Sequence, residues 1–209
     1  MEILVFGASI ATGYNDNEGG WVAKLKKYLE GKYSQDENYY CPVYNLGIPG
    51  NTTRDVLKRF EFEIRQRLHE SRRIIIIEVG LNDSQIDIES KTLEITLNEF
   101  SKNILQLIKL AKKYSSEIIF LGLTPVDEPK TDPIPWKPGS AYKNEEIKQF
   151  DRIIKDLSRE NYVGFVNILK VFNQQSYKKL LEDGVHPNSK GHEKIFYLVK
   201  TFLEKNNNI

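Results

Sequence analysis

The chain has 209 residues, of which 30 are lysine or arginine and 29 are aspartate or glutamate, so its formal net charge is only +1. Because these charges are interspersed along helical stretches, no basic field forms, which disfavours nucleic acid as a partner. The single cysteine, Cys41, excludes an internal disulfide and a cysteine-based zinc site. The length fits one domain, which we expect over residues 1–205, followed by a frayed tail at residues 206–209.

The first ten residues, MEILVFGASI, lack the basic segment of a signal peptide. They run directly into a short apolar stretch that ends at Gly7, a pattern that predicts a buried strand. A helix that crosses a bilayer needs about 20 apolar residues, and the apolar run at residues 73–79 is much shorter. We therefore expect a soluble, cytoplasmic protein that does not insert into a membrane.

Short apolar runs alternate with longer stretches of helical period along the chain. Five runs rich in Ile, Val, Leu or aromatic residues predict strands at residues 2–6, 43–46, 74–79, 118–123 and 162–167. Amphipathic stretches predict helices at residues 21–29, 53–68, 93–111, 147–157 and about 190–203. This alternation predicts an α/β fold in which helices cover both faces of a parallel sheet.

Four segments rich in glycine and polar residues follow the predicted strands. Gly7-Ala8-Ser9-Ile10 comes after the first strand, residues 47–52 after the second, residues 80–83 after the third, and residues 183–186 beyond the fifth. In an open parallel sheet, ligands bind beyond the carboxyl ends of the strands. We therefore expect the four segments to meet at one edge of the sheet.

The residue types in these segments suit acyl transfer by a serine. A serine nucleophile needs a base, the base needs an orienting acceptor, and the developing oxyanion needs donors. Ser9 would be the nucleophile and His186 its general base, while Asp183 can reach the other imidazole nitrogen from the same short turn. The backbone N–H groups of Ser9 and Gly50 and the side-chain amide of Asn82 would form the oxyanion hole. Gly50 suits that role because a residue without Cβ lets a substrate approach the backbone closely.

These segments resemble the four sequence blocks of the SGNH hydrolase superfamily, also called GDSL esterases and lipases. The four name-giving positions of the family are matched in order, and its Asp-x-x-His is matched as well, by Ser9, Gly50, Asn82, His186 and Asp183. The resemblance spans most of the chain. It implies a flavodoxin-like, three-layer α/β/α fold with five parallel strands in the order 2-1-3-4-5. It also implies an esterase or acylhydrolase that acts on a small-molecule ester without a cofactor or metal.

The segment around the nucleophile departs from the family at one position, because Ala8 stands where the family has Asp. Family roles assign no proton transfer to that Asp, so we expect the chemistry to survive. The α/β-hydrolase motif Gly-x-Ser-x-Gly fits less well, because Ala11 stands where its second glycine would be. Two other classes stay open: a non-catalytic binding protein of the same fold, and a nucleotide or flavin binder, although the standard phosphate-binding fingerprints are absent.

Two other histidines compete with His186 for the role of base. His69 lies at the end of a predicted helix, and His192 lies in the first turns of the last one, where packing or capping is the more common use. A metal site formed by Asp183, His186 and His192 is a weaker alternative, because no further strand-end segment offers another histidine or a carboxylate cluster.

The longest irregular stretch, residues 124–142, contains five prolines, which limit its freedom. A loop of this length in a compact domain is usually functional. We expect Trp136 to line a substrate pocket and, with Ile134, to supply a modest apolar wall. So small a wall predicts a preference for small or short acyl groups. A lysophospholipase or thioesterase with a long-chain groove is the alternative.

Overall fold

A five-stranded parallel sheet forms the centre of the molecule in the computed structural model, which describes residues 1–67, 72–172, 176–206 and 209. Its strands are β1 (Glu2–Gly7), β2 (Val43–Gly47), β3 (Arg73–Glu78), β5 (Glu117–Leu121) and β7 (Gly164–Val166). They lie in the order β2-β1-β3-β5-β7. Counted along the chain, this is the predicted order 2-1-3-4-5. A separate two-stranded antiparallel sheet joins β4 (Ile86–Asp87) to β6 (Ser140–Ala141).

The central strands are continuous apolar runs because helices cover both of their faces. β1 and β3 pair in parallel, with Ile3 opposite Ile74 and Phe6 opposite Ile77. Every residue of both strands is buried. A strand buried on two faces cannot alternate apolar with polar residues, so it shows the uninterrupted pattern seen in the sequence.

The helices of the described residues are α1 (Ser9–Thr12), α2 (Gly20–Tyr33), α3 (Thr53–Arg65), α4 (Leu97–Ala111), α5 (Glu128–Thr131), α6 (Asn144–Glu160), α7 (Ile168–Phe172) and α8 (Ser189–Lys205). Helices α2 and α8 pack together, and α4 packs against both α3 and α6. Because parallel strands are joined by right-handed crossovers, the reversed step from β1 to β2 places α2 on one face. The later steps place α3, α4 and α6 on the other. The predicted three-layer architecture is confirmed.

Of the element boundaries that differ from the predictions, two have a clear local reason. Helix α4 begins at Leu97 and not at residue 93, because the Thr96 hydroxyl accepts a hydrogen bond from the Glu99 N–H and caps the first turn. The fifth parallel strand begins at Gly164 and not at Tyr162. Tyr162 has a φ of 57° and is 97% exposed, so it belongs to a turn.

The proline-rich stretch at residues 124–142 contains α5 and β6 instead of being wholly irregular. Within it the Ile134 N–H donates to the Ser140 carbonyl at 2.8 Å, and the Lys137 N–H donates to the Ile134 carbonyl at 3.0 Å. This compact turn leaves Ile134 fully buried and Trp136 half exposed. The prediction that Ile134 forms part of the pocket wall is therefore wrong, because its side chain packs into the core.

Several predictions concern parts of the chain that the structure does not describe. The predicted end of the second helix at Leu68, the neighbouring His69, and residues 207–208 of the tail all lie outside the described residues. Within the described ranges, no helix combines the length and the apolar character that a membrane span requires. The cytoplasmic location stays a prediction.

Candidate active site

The segments that follow the strands meet at the carboxyl edge of the sheet, as the sequence predicted. Ser9 is the first residue of α1, two residues beyond the end of β1. Together with Gly50, Asn82 and His186, it lines a cleft of about 640 Å³. That volume is typical of a site for a small molecule.

The imidazole of His186 connects Ser9 to Asp183. Its Nε2 lies 2.9 Å from the Ser9 Oγ, and its Nδ1 lies 2.6 Å from the Asp183 Oδ2. A carboxylate can only accept, so Nδ1 carries the proton and Nε2 is left to accept from the serine hydroxyl. This arrangement can move a proton from Ser9 to the imidazole while Asp183 stabilises the cation that forms.

Hydrogen-bond donors of Asn15, Val185 and His186 keep Asp183 in its carboxylate form. Its Oδ1 accepts from the backbone N–H groups of Val185 and His186, at 2.9 and 2.8 Å. Its Oδ2 also accepts from the Asn15 Nδ2 at 2.8 Å. Burial acts to raise the pKa of Asp183, but the hydrogen bonds from the side chain and backbone of His186 and from Val185 outweigh it and lower the pKa to about 2. Asp183 is therefore ionised at neutral pH.

Two aromatic rings lie against the His186 imidazole. The Tyr14 and Trp136 ring centroids lie 4.6 and 5.5 Å from the imidazole centroid. Each of these two side chains is about half exposed, and both line the cleft. The structure thus brings Trp136 to the place where the sequence expected it. Tyr14 was missed, because nothing in its local sequence distinguishes it from a surface tyrosine.

The three expected oxyanion donors line the same cleft. Neither the Ser9 N–H nor the Gly50 N–H bonds an acceptor within the part of the chain that the structure describes. The Asn82 Nδ2 donates one hydrogen bond, to the Asn51 carbonyl at 3.0 Å. Gly50 has a φ of 81°, and a Cβ there would meet no atom within 4 Å. Its glycine is therefore explained by the left-handed turn and not by crowding in the protein.

His192 occupies a different environment from His186. It is fully buried in α8, and its Nε2 lies 3.3 Å from the Tyr14 carbonyl oxygen. Burial lowers its pKa. Among the described residues, no three His, Cys, Asp or Glu side chains are arranged to hold a metal ion. Asp183, His186 and His192 therefore do not form the metal site that the sequence left open.

A buried carboxyl, Glu78, lies beneath the loop that carries Ser9. It is the last residue of β3, and its Oε2 has no hydrogen-bond partner within the described residues. Burial raises its pKa from 4.5 to about 8, against an opposing effect of the Ala11 and Ala8 N–H groups. Glu78 is therefore protonated in the folded protein at neutral pH. It faces the backbone at Ala8, the residue before Ser9.

We expect Glu78→Gln to stabilise the protein at pH 8 by on the order of 4 kcal/mol, and to have little effect near pH 4.5. An unfolded chain ionises this glutamate above about pH 4.5, whereas the folded protein keeps it neutral up to about pH 8. The unfolded state therefore binds fewer protons in this window, so the wild type loses stability as the pH rises through it. The neutral amide removes that loss. Urea denaturation at the two pH values measures the difference.

The exposed Glu145 in the first turn of α6 offers a matched control, because Glu145→Gln should change the free energy of unfolding equally little at both pH values. If Glu78→Gln gave the same difference at pH 4.5 and pH 8, the buried carboxyl would be ionised in the folded protein and the assignment would be wrong.

Comparison with protein families gives a match to one family description. Residues 5–194 match the GDSL-like lipase/acylhydrolase family. Among curated proteins, the chain is 29% identical over 171 residues to the isoamyl acetate-hydrolyzing esterase of Saccharomyces cerevisiae, covering 77% of this chain and 69% of the relative. It is 26% identical over 193 residues to the acetylxylan esterase of Geobacillus stearothermophilus, covering 89% of this chain and 80% of the relative.

Solved structures show the same fold. A lipase/acylhydrolase from Enterococcus faecalis superposes with a TM-score of 0.77 at 21% identity, covering 98% of this chain and 96% of that one. The acetylxylan esterase from G. stearothermophilus superposes with a TM-score of 0.72 at 20% identity, covering 97% and 93%.

Proposed function

This chain belongs to the GDSL-like lipase/acylhydrolase family and is an ester hydrolase, and we propose that it cleaves acetyl and other short acyl esters through a Ser9–His186–Asp183 triad. The observation that carries the proposal is the continuous contact from the Ser9 Oγ through both imidazole nitrogens to the Asp183 carboxylate. A non-catalytic protein of this fold would be expected to have lost at least one of these groups.

In the proposed mechanism, Ser9 Oγ attacks the ester carbonyl as its proton passes to His186 Nε2. The carbonyl oxygen of the ester becomes negative, and the Ser9 and Gly50 N–H groups and the Asn82 amide donate to it. His186 then protonates the departing alcohol, which leaves an acyl-serine. Water, deprotonated by the same imidazole, releases the acid and restores Ser9. No step needs a cofactor or a metal ion.

The alcohol part of the ester would lie beside the aromatic rings. His186 must deliver its proton to the departing oxygen, so groups packed against the imidazole neighbour the leaving alcohol. Trp136 and Tyr14 occupy that position. We assign Trp136 as a substrate-binding residue on the alcohol side.

The acyl side is proposed to accept only short groups. Charged side chains line much of the cleft: Arg54, Asp55, Lys58, Glu94 and Lys137. Each methylene group of an acyl chain strengthens binding by about 0.8 kcal/mol only where apolar surface covers it. A wall of charged side chains offers little apolar surface. The two curated relatives are named for an acetate ester and for acetylated xylan, which supports the same preference. A lysophospholipase or thioesterase groove would need a longer apolar wall.

We expect kcat/KM on p-nitrophenyl esters to be highest for acetate and to fall through butyrate to octanoate, by about tenfold or more overall. The fall reflects acyl carbons that gain no apolar contact while they displace water from charged groups. Initial rates at matched enzyme concentration measure the series, with Ser9→Ala as the blank. A kcat/KM that rises steadily with acyl length would contradict the proposal and favour a long-chain groove.

Trp136→Ala provides an internal comparison in the same series. If the Trp136 ring contacts the alcohol part of the ester, removing the ring should raise KM by a similar factor for every acyl length. A KM change that grows with acyl length would instead place Trp136 on the acyl side.

We further propose that residues 1–205 form one catalytic domain. The central sheet takes strands from residues 2–166, and α8 returns to pack against α2. The proposed triad draws on both ends of this span. A limited digest that yields one resistant fragment of this size would support the assignment, and separable stable halves would contradict it.

A further inference from the structure

We propose that Lys137, Gln85 and Tyr142 form a hydrogen-bond relay that fixes the orientation of the Asn82 amide, with Tyr142 as the positioning residue in contact with it. The inference rests on the proposed function, in which Asn82 donates to the oxyanion. None of the three residues of the relay was singled out by a sequence motif.

The relay consists of three consecutive short hydrogen bonds. The Lys137 Nζ donates to the Gln85 Oε1 at 2.7 Å. The Gln85 Nε2 donates to the Tyr142 hydroxyl oxygen at 2.7 Å. The Tyr142 hydroxyl in turn donates to the Asn82 Oδ1 at 2.8 Å. Tyr142 and Gln85 are both buried, so water does not readily replace these partners.

The direction of every bond in the relay follows from its first member. An ammonium group has donors and no acceptor, so Lys137 requires the oxygen of Gln85 to face it. The NH₂ group of Gln85 must then face Tyr142, whose oxygen accepts from it. The single hydroxyl hydrogen of Tyr142 is left for Asn82, which must present its oxygen. The Asn82 NH₂ group is thereby turned toward the cleft.

This orientation decides whether Asn82 can serve the proposed reaction. The two ends of an amide have nearly the same shape, so sterics alone do not select one of them. Reversed, the side chain would point its oxygen at the developing oxyanion and repel it. In the observed orientation, one Nδ2 hydrogen bonds the Asn51 carbonyl at 3.0 Å, and the second is available to the cleft.

The relay also begins at a positive charge. Bonds that all point in one direction polarise one another in a low-dielectric interior, so the Asn82 N–H becomes a stronger donor. Burial raises the pKa of Tyr142, which keeps its hydroxyl protonated and able to donate. The Lys137 ammonium also lies 3.3 Å from the Glu94 carboxylate, which holds it at the rim of the cleft.

The small antiparallel sheet holds the two central members of the relay side by side. In the pairing of β4 with β6, Ile86 lies opposite Ala141 and Asp87 opposite Ser140. The next pair in this register is Gln85 opposite Tyr142, and directly opposed side chains of an antiparallel pair are close enough to bond. The two-stranded sheet therefore connects the Asn82 segment to the end of the proline-rich stretch.

A double-mutant cycle on p-nitrophenyl acetate tests the relay. Asn82→Ala should lower kcat by about a hundredfold or more with little change in KM. Tyr142→Phe keeps the ring but removes the hydroxyl, and should lower kcat by about tenfold, again with little change in KM. The double variant should be no slower than Asn82→Ala alone, because Tyr142 acts through that amide.

Tyr114→Phe is the matched control. It also removes a hydroxyl hydrogen bond, to the Glu61 Oε1 at 2.9 Å, but it lies before β5, at the amino edge of the sheet. We expect it to keep the wild-type kcat. The relay would be overturned if Tyr142→Phe were as active as Tyr114→Phe. It would also be overturned if kcat of the double variant fell by the product of the two single-variant decreases. If Asn82→Ala itself kept the wild-type kcat, the oxyanion role in the proposed function would fail, and the relay with it.

Gln85→Met removes the bond from the Gln85 Nε2 to Tyr142 and its longer, 3.4 Å bond to the Asn82 Oδ1, and it keeps the test decisive if Tyr142→Phe does not fold. It should lower kcat severalfold in the wild-type background. In the Asn82→Ala background, the same substitution should cause no further decrease in kcat. Thermal unfolding of each variant separates loss of fold from loss of turnover. A folded Gln85→Met variant with unchanged kcat would contradict the proposal.

Discussion

Replacing Ser9 with alanine is expected to lower kcat on p-nitrophenyl acetate by about a millionfold, to a rate near that of the uncatalysed reaction assisted only by binding. Without the Oγ no acyl-enzyme forms, and His186 has no hydroxyl to deprotonate. KM or inhibitor binding should change little, because the hydroxyl contributes little to the walls of the cleft. Steady-state kinetics with the purified variant measure both quantities.

Covalent labelling identifies the nucleophile independently of turnover. A fluorophosphonate should react with Ser9 alone in the wild type, because only a hydroxyl activated by a neighbouring base reacts readily. Ser9→Ala should remain unlabelled while it unfolds at the wild-type temperature. Peptide mapping that finds the label on another serine, or no label on an active wild-type sample, would reject Ser9.

The second large effect is expected at the base. His186→Ala should lower kcat by about a millionfold, whereas Asp183→Asn should cost about ten-thousandfold. An asparagine would still accept from the Val185 and His186 N–H groups through its oxygen. Its NH₂ group would then face Nδ1, which would have to accept, and the imidazole proton would move to Nε2. Nε2 could no longer take the proton of Ser9.

Asp156→Asn serves as the matched control for this change. Asp156 lies on α6, with an ion pair to Arg159 at 3.2 Å, and its replacement should leave kcat unchanged. Equal losses for His186→Ala and Asp183→Asn, with both variants folded, would mean that the base is assigned wrongly. Denaturation curves for both variants show whether the turn at residues 183–186 has collapsed instead.

The sequence predicted the groups whose role depends on a short local pattern. Ser9, Gly50 and Asn82 lie two to four residues beyond the ends of strands, and the order of the strands then brings them to one edge. Asn15 carried a weaker signal, because asparagine is one of the few residues that adopt a φ of 67° readily. Its contact with Asp183, 168 positions away, could not be read from that signal.

Side-chain direction within an irregular stretch was harder to predict than the strands. Trp136 and Ile134 are separated by one residue, and the sequence assigned both to the wall of the cleft. The hydrogen bonds of the intervening turn send Ile134 into the core and Trp136 outward. Gln85 and Tyr142 come together only through the pairing of β4 with β6, two strands too short to show a period-2 pattern.

Ile134 is buried in the core, whereas Trp136, two residues later, is half exposed. This difference has a consequence for redesign of the enzyme. One turn anchored by the Ile134 side chain presents both Trp136 and Lys137 to the cleft. Grafting the corresponding loop of a relative would therefore exchange an aromatic wall of the cleft and the Lys137 ammonium in a single operation. Directed evolution of substrate range should proceed more readily by point changes at Trp136, with Ile134 and Lys137 retained, than by exchange of the whole segment.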